Sequence, residues 1–82
     1  MTYQQHLATA MVHLGDSDDA AALISFNAAL AEAGRVDPEG PRVAECLNYL
    51  AHFHEQAGRQ EEALAASAAA KAIEERFNSE SL

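Results

Sequence analysis

Tryptophan is absent, cysteine occurs once, and lysine and arginine together number five in 82 residues. A lone cysteine, Cys46, excludes an intramolecular disulfide and makes a reducing compartment, the cytoplasm, the expected location. The shortage of cations stands against thirteen carboxylates and a formal net charge of -8, a balance that repels both nucleic acid phosphates and anionic lipid headgroups. Neither nucleic acid nor a membrane is therefore an expected partner. The opening stretch MTYQQHLATAMVHLG has no basic start followed by an apolar block, so no secretory leader is expected, and no apolar run approaches membrane-spanning length. β-branched residues are also scarce, and no stretch alternates with the period of two that a strand requires.

The residues that are abundant, Ala, Leu, Glu and Gln, favour helix, and the apolar positions recur at helical spacing. The fold class that follows is all-α, a single domain over 1–82 made of four helices. Tyr3, Leu7, Met11 and Leu14 share a face and predict a first helix over 2–14, stopped by Gly15 in a left-handed conformation. In DSDD, Asp16 is the expected N-cap of the second helix and Asp19 lies in its first turn, where the dipole favours acids. That helix has one stripe in Leu23, Phe26, Asn27 and Leu30 and another in Ala20, Ile24 and Ala28, and Gly34 is expected to end it. GRVDPEGP, over 34–41, reads as a loop, and Pro41 suits the first turn of a third helix, where its missing N–H is no loss. Gly58 closes that helix, a fourth is expected over 60–77, and 78–82 is expected to be a frayed tail.

The two halves share one order of parts: helix, glycine, tight turn, helix. Superposing Gly15 on Gly58 pairs Leu7 with Leu50, Ala8 with Ala51 and Ala20 with Ala63. This predicts an internal repeat, with repeat one over about 1–34 and repeat two over about 41–77. In the second half, LNYLAHFHEQAGRQEEALAASAAA places Leu47, Leu50, Ala51, His54, Ala63, Ser67 and Ala70 where the tetratricopeptide repeat has its alternating large, small and aromatic residues. Gln4, Leu7, Ala8, Met11, Ala20, Ile24 and Asn27 are the corresponding set in the first half. The long spacing and the signature EGPRVAECLNYLAHFHEQAGRQEEAL resemble the kinesin-light-chain subtype of that family, in which a proline-containing loop precedes a helix bearing Leu-Asn-x-Leu-Ala.

The resemblance implies two antiparallel helix pairs stacked with a right-handed superhelical sense, and a protein-binding role. Leu7, Met11, Leu23, Phe26, Leu30, Leu47, Leu50 and Phe53 are the expected core. The resemblance also implies a peptide-binding groove lined by Thr2, Gln5, Thr9 and Val12 from one repeat and by Glu45, Asn48, His52 and Glu55 from the other. These residues are polar, slightly acidic and lack the Arg or Lys that a clamped carboxylate wants, so an acidic peptide is disfavoured and a basic or amphipathic one expected. The rival reading is a structural subunit that self-assembles. Two repeats are fewer than such stacks usually need, and a homodimer is expected through one of two end faces, Tyr3, His6 and Ala10 or Ala65, Ala68, Ala69 and Ala72.

Nothing in the sequence predicts chemistry. His52 and His54 point to different sides of a helix and His6 and His13 lie two turns apart, so no metal site and no cofactor is expected. His54, in an aromatic slot, reads as a packed residue with one nitrogen bonded, and Cys46, on an apolar side, as a small hydrophobe. DSDDAAALISFN lacks the central glycine and terminal glutamate of a calcium loop, and no phosphate cradle or nucleophile elbow is present, so an enzyme is not expected.

Overall fold

The computed structural model describes residues 2–80, with side chains described over 2–77. Residues 1, 81 and 82, the first of the expected repeat one and the last two of the expected tail, lie outside the described residues. The described chain is all-α: α1 (Tyr3–Gly15), α2 (Asp19–Val36), α3 (Pro41–Gln56) and α4 (Gln60–Glu80), with no strand among them. Turns too short to do anything but reverse the chain join α1 to α2 and α3 to α4, so each pair packs antiparallel, and α2 packs on α3 to join the pairs.

The helix ends follow from local chemistry. Thr2 and Gln5 form a capping box at α1: the Thr2 hydroxyl accepts from the Gln5 N–H at 3.2 Å, and the Gln5 side chain accepts from the Thr2 N–H at 2.8 Å. The N-cap of α2 is Asp18, whose carboxylate accepts from the Ala21 N–H at 3.2 Å. Asp16, the expected cap, instead closes the end of α1. Gly15 stays helical, and the left-handed residue of this turn is Ser17, with φ 60°. Gly58, at φ 80°, does close α3 as its sequence position suggests. Pro41 occupies the first turn of α3 behind Gly40, whereas Gly34 leaves α2 unbroken as far as Val36, because an interior glycine costs a helix only about 1 kcal/mol relative to alanine. α4 likewise runs through 78–80, beyond the point where the tail was expected to begin.

The hydrogen bonds of the two turns match one another at a spacing that differs from the expected one. Asp18 N–H donates to the His13 carbonyl at 2.8 Å and Arg59 N–H to the His54 carbonyl at 2.8 Å; Ser17 donates to Leu14 and Gly58 to Glu55, and Ala22 to Asp18 as Ala63 to Arg59. Every one of these pairs is separated by 41 positions, not by the 43 that matching Gly15 to Gly58 suggests. Ser17 is the counterpart of Gly58, and every slot of repeat one moves two residues along, a rotation of about 200° on a helix. Of Gln4, Leu7, Ala8, Met11, Ala20, Ile24 and Asn27, only Leu7 is buried. The inward positions are Ala10, Ala22, Phe26 and Ala29, matching Ala51, Ala63, Ser67 and Ala70 of the second pair.

The core corrects the expectation in the same sense. Leu7, Phe26, Leu50 and Phe53 are buried, Leu23, Leu30 and Leu47 pack against them half-buried, and Met11 is 50% exposed. Much of the interior consists of small side chains, Ala10, Ala22, Ala29, Ala33, Ala44 and Ala70, which let helix axes approach closely. Phe26 joins the two pairs, its ring 6.3 Å from that of Tyr49 and 5.7 Å from that of Phe53. Outside the core, Tyr3 donates to a Glu45 carboxylate oxygen at 3.0 Å, and Arg76 pairs with Glu39 to hold α4 to the loop between the pairs.

Candidate functional site

The residues of the expected groove divide among separate tasks. Thr2 and Gln5 are committed to the capping box, and the Thr9 hydroxyl donates to the Gln5 carbonyl at 3.0 Å. Val12 is exposed. On α3, Glu45 accepts from Tyr3, Asn48 donates through its amide to Glu74 at 2.9 Å, and His52 and Gln56 are hydrogen-bonded at 3.0 Å. Glu45 and Asn48 come together at one concavity, Thr2 lies at a second, and Glu55 lines a third with Ala51, Gln60 and Leu64.

The concavity at Glu45 and Asn48 is a notch of about 380 Å³ between the start of α3 and the end of α4. Ala44 and Ile73 form its apolar floor, Tyr49 and Phe77 contribute partly exposed aromatic rings, and Glu45 and Glu74 supply two carboxylates. Among the described residues neither carboxylate forms an ion pair; each accepts from a neutral donor, the Tyr3 hydroxyl or the Asn48 amide. Tyr49, Ile73, Glu74 and Phe77 are not among the residues of the expected groove. The only available signal was the i, i+4 pair Ile73 and Phe77, which lies beyond the alanine-rich stretch of α4.

The first pair has an equivalent notch, lined by Tyr3, Gln4, Glu32, Ala33 and Val36, each 41 positions before Ala44, Glu45, Ile73, Glu74 and Phe77. There the wall is completed by Arg42, from the first turn of the following helix. In the second pair no described residue plays that part.

Electrostatics fit this placement. The Tyr3 hydroxyl titrates above its usual range, chiefly because it donates to the Glu45 carboxylate, with desolvation and the Glu45 charge adding to the effect and Arg42 opposing it. Burial, aided by the nearby Glu45 charge, pushes the Cys46 thiol up to about 11, so it is a packed neutral group at neutral pH and not a nucleophile. His54 packs edge-on to Phe53, but its Nδ1 has no hydrogen-bond partner and lies 3.9 Å from a Glu62 oxygen. The expected hydrogen bond is thus missing at that nitrogen. Among the described residues no group of three His, Cys, Asp or Glu side chains could hold a metal ion, and no helix is long and apolar enough to cross a membrane.

The end faces also differ from expectation. Tyr3 and His6 are half-buried and Ala10 is wholly buried; that face was expected by matching Tyr3, His6 and Ala10 to Cys46, Tyr49 and Phe53 at a spacing of 43, whereas at 41 the counterparts are Gln5, Ala8 and Val12, all exposed. Ala65, Ala68, Ala69 and Ala72 are exposed on α4. No protein-family model, no curated protein and no solved structure matches the chain.

Proposed function

We propose that this chain is a small interaction module, similar to a tetratricopeptide repeat, that binds a segment of another protein rather than performing chemistry. The observation that carries the reading is the open notch between α3 and α4, whose counterpart in the first pair, itself a cavity of about 420 Å³, has Arg42 of the next helix in its wall. α4 also carries exposed Ser67 and Lys71 where α2 has buried Phe26 and half-buried Leu30, the polar outer face that ends a stack of repeats and leaves its surface for a different partner. Glu45, Glu55 and Glu74 on an acidic chain favour a basic or amphipathic partner over an acidic one. A reducing compartment, the cytoplasm, suits the lone buried cysteine.

Titration of the folded chain against labelled pools of basic, neutral and acidic peptides tests this, read by fluorescence anisotropy. Preference for the basic pool, weakened by salt and by Glu55→Lys, is the expected result. Equal affinity for basic and acidic pools would sink the charge preference, and no binding by any pool would sink the module reading.

The second reading is a self-assembling subunit, favoured by the exposed stripe Ala65, Ala68, Ala69 and Ala72, along which two α4 helices could approach closely. It requires a concentration-dependent dimer in sedimentation equilibrium that Ala69→Glu dissociates. A monomer at high micromolar concentration would eliminate it.

A further inference from the structure

The repeat supplies its own template for the kind of side chain that stands at the edge of such a notch. In the first pair the wall is completed by Arg42, carried in the first turn of a helix whose Tyr49 and Phe53 pack against Phe26 of α2. Arg42 lies close enough to Tyr3 for its charge to oppose, in part, the rise in proton affinity that Glu45 causes. The notch of the second pair is the better cation seat. Where the first has Gln4 and Ala33, the second has Glu45 and Glu74; where the first has Glu32, already paired with Arg35, it has Ile73, and where the first has Val36 it has Phe77. Carboxylates bond a guanidinium or ammonium directly, and the partly exposed Tyr49 and Phe77 side chains line the notch beside them, an apolar wall suited to a cation's methylene stem. The Asn48 amide fixes one oxygen of Glu74, which steadies that carboxylate without neutralising it.

We propose that this notch receives an arginine or lysine carried in the first turn of a helix from another protein, docked over α3 and α4 as α3 docks over the first pair. The proposal rests on the interaction-module reading and names its partner chemistry. Leu64, 70% exposed and the counterpart of half-buried Leu23, supplies an apolar contact farther along the same docking path, beside Ala51 and Ser67. A second copy of this chain is a poor occupant. Its α1 contains no lysine or arginine, and its own α3, which carries Arg42, is already packed against α2.

The probe is a synthetic amphipathic helix of about 18 residues, long enough to hold helical structure, with a leucine stripe and an arginine in its first turn. Its twin has glutamine at the arginine position. Binding to the isotope-labelled chain is followed by fluorescence anisotropy and by amide chemical shifts. The arginine peptide should bind about tenfold more tightly than its twin, a ratio that corresponds to one good charge-assisted contact. Shifts should centre on Ala44, Asn48 and Glu74. Replacing both Glu45→Gln and Glu74→Gln, near-isosteric changes that keep the hydrogen-bond acceptors, should bring the two peptides within about twofold. The double variant Asp16→Asn and Glu61→Gln removes the same charge elsewhere and should leave the preference intact. Thermal melts monitored by circular dichroism verify that both variants fold.

Equal binding of the two peptides, failure of both to bind, or loss of the preference in both double variants would overturn the proposal. Arginine-dependent binding with shifts confined to α1 and α2 would overturn the notch while leaving the module reading standing. Failure of every peptide pool in the broader titration would remove that reading as well.

Discussion

The two helix pairs share a backbone plan but differ in what they bury. The first has Phe26 at the place where the second has Ser67, and half-buried Leu30 where the second has exposed Lys71. Both keep the alanines that bring their helices together, Ala22 and Ala29 in one, Ala63 and Ala70 in the other. Packing within a pair therefore needs small residues, and packing between pairs needs one large ring. The turns differ in a complementary way. The first holds a left-handed Ser17, a conformation that costs a side-chain-bearing residue about 1–2 kcal/mol, but Asp18 caps the next helix. The second relieves that strain with Gly58 but follows it with Arg59, which has no side-chain acceptor to offer.

Removing the ring should break the comparison most severely. Phe26→Ala is expected to destabilise the chain by about 3–5 kcal/mol in urea unfolding, whereas Ser67→Ala at the equivalent place should stay within about 0.5 kcal/mol. Leu50→Ala should cost about 2–5 kcal/mol because Leu50 is buried, while Met11→Ala, at a half-exposed position, should cost about 1 kcal/mol or less.

High pH should act on the junction next. Cys46 titrates at about 11 in the folded chain against 9.0 for an ordinary thiol. Between these values the unfolded chain releases its proton first, so stability is unaffected below about pH 9 and falls as pH rises towards 11, by on the order of 2 kcal/mol in all. Cys46→Ala should remove most of that decline, leaving the part due to Tyr3, whose raised proton affinity acts in the same direction. Thermal melts across this range check it. In the turns, Gly58→Ala should cost about 1–2 kcal/mol and Ser17→Gly should gain less than about 1 kcal/mol, and a Ser17→Gly chain less stable than the parent would contradict the equivalence of the two positions.

The sequence disclosed the helices more readily than their faces. Leu7, Phe26, Leu50 and Phe53 were legible as core because large apolar residues at helical spacing signal burial directly, and Pro41 and Gly58 marked real ends of helices. Alanine carries almost no such signal. Buried Ala22 and exposed Ala20 look alike in a string, so glycine was the only landmark for aligning the halves, and Gly15 was a false one because Ser17 adopts the left-handed conformation. The same two-residue offset underlies the end face expected at Tyr3, His6 and Ala10, of which Ala10 is buried. On α3, Glu45 and Asn48 do meet at a concavity, but Glu74 and Phe77 join them only once α4 folds back, a contact that spacing within one helix cannot reveal.

The register of the repeat is tested most directly by cysteine accessibility. In a Cys46→Ala background, single substitutions Ala20→Cys, Ala22→Cys, Ala63→Cys and Ala65→Cys would be labelled with a water-soluble thiol reagent in the folded chain. A spacing of 41 predicts protection at 22 and 63 and rapid labelling at 20 and 65, matching the burial of these alanines. Protection at 20 together with rapid labelling at 22 would contradict it, and with it the equivalence of the two notches.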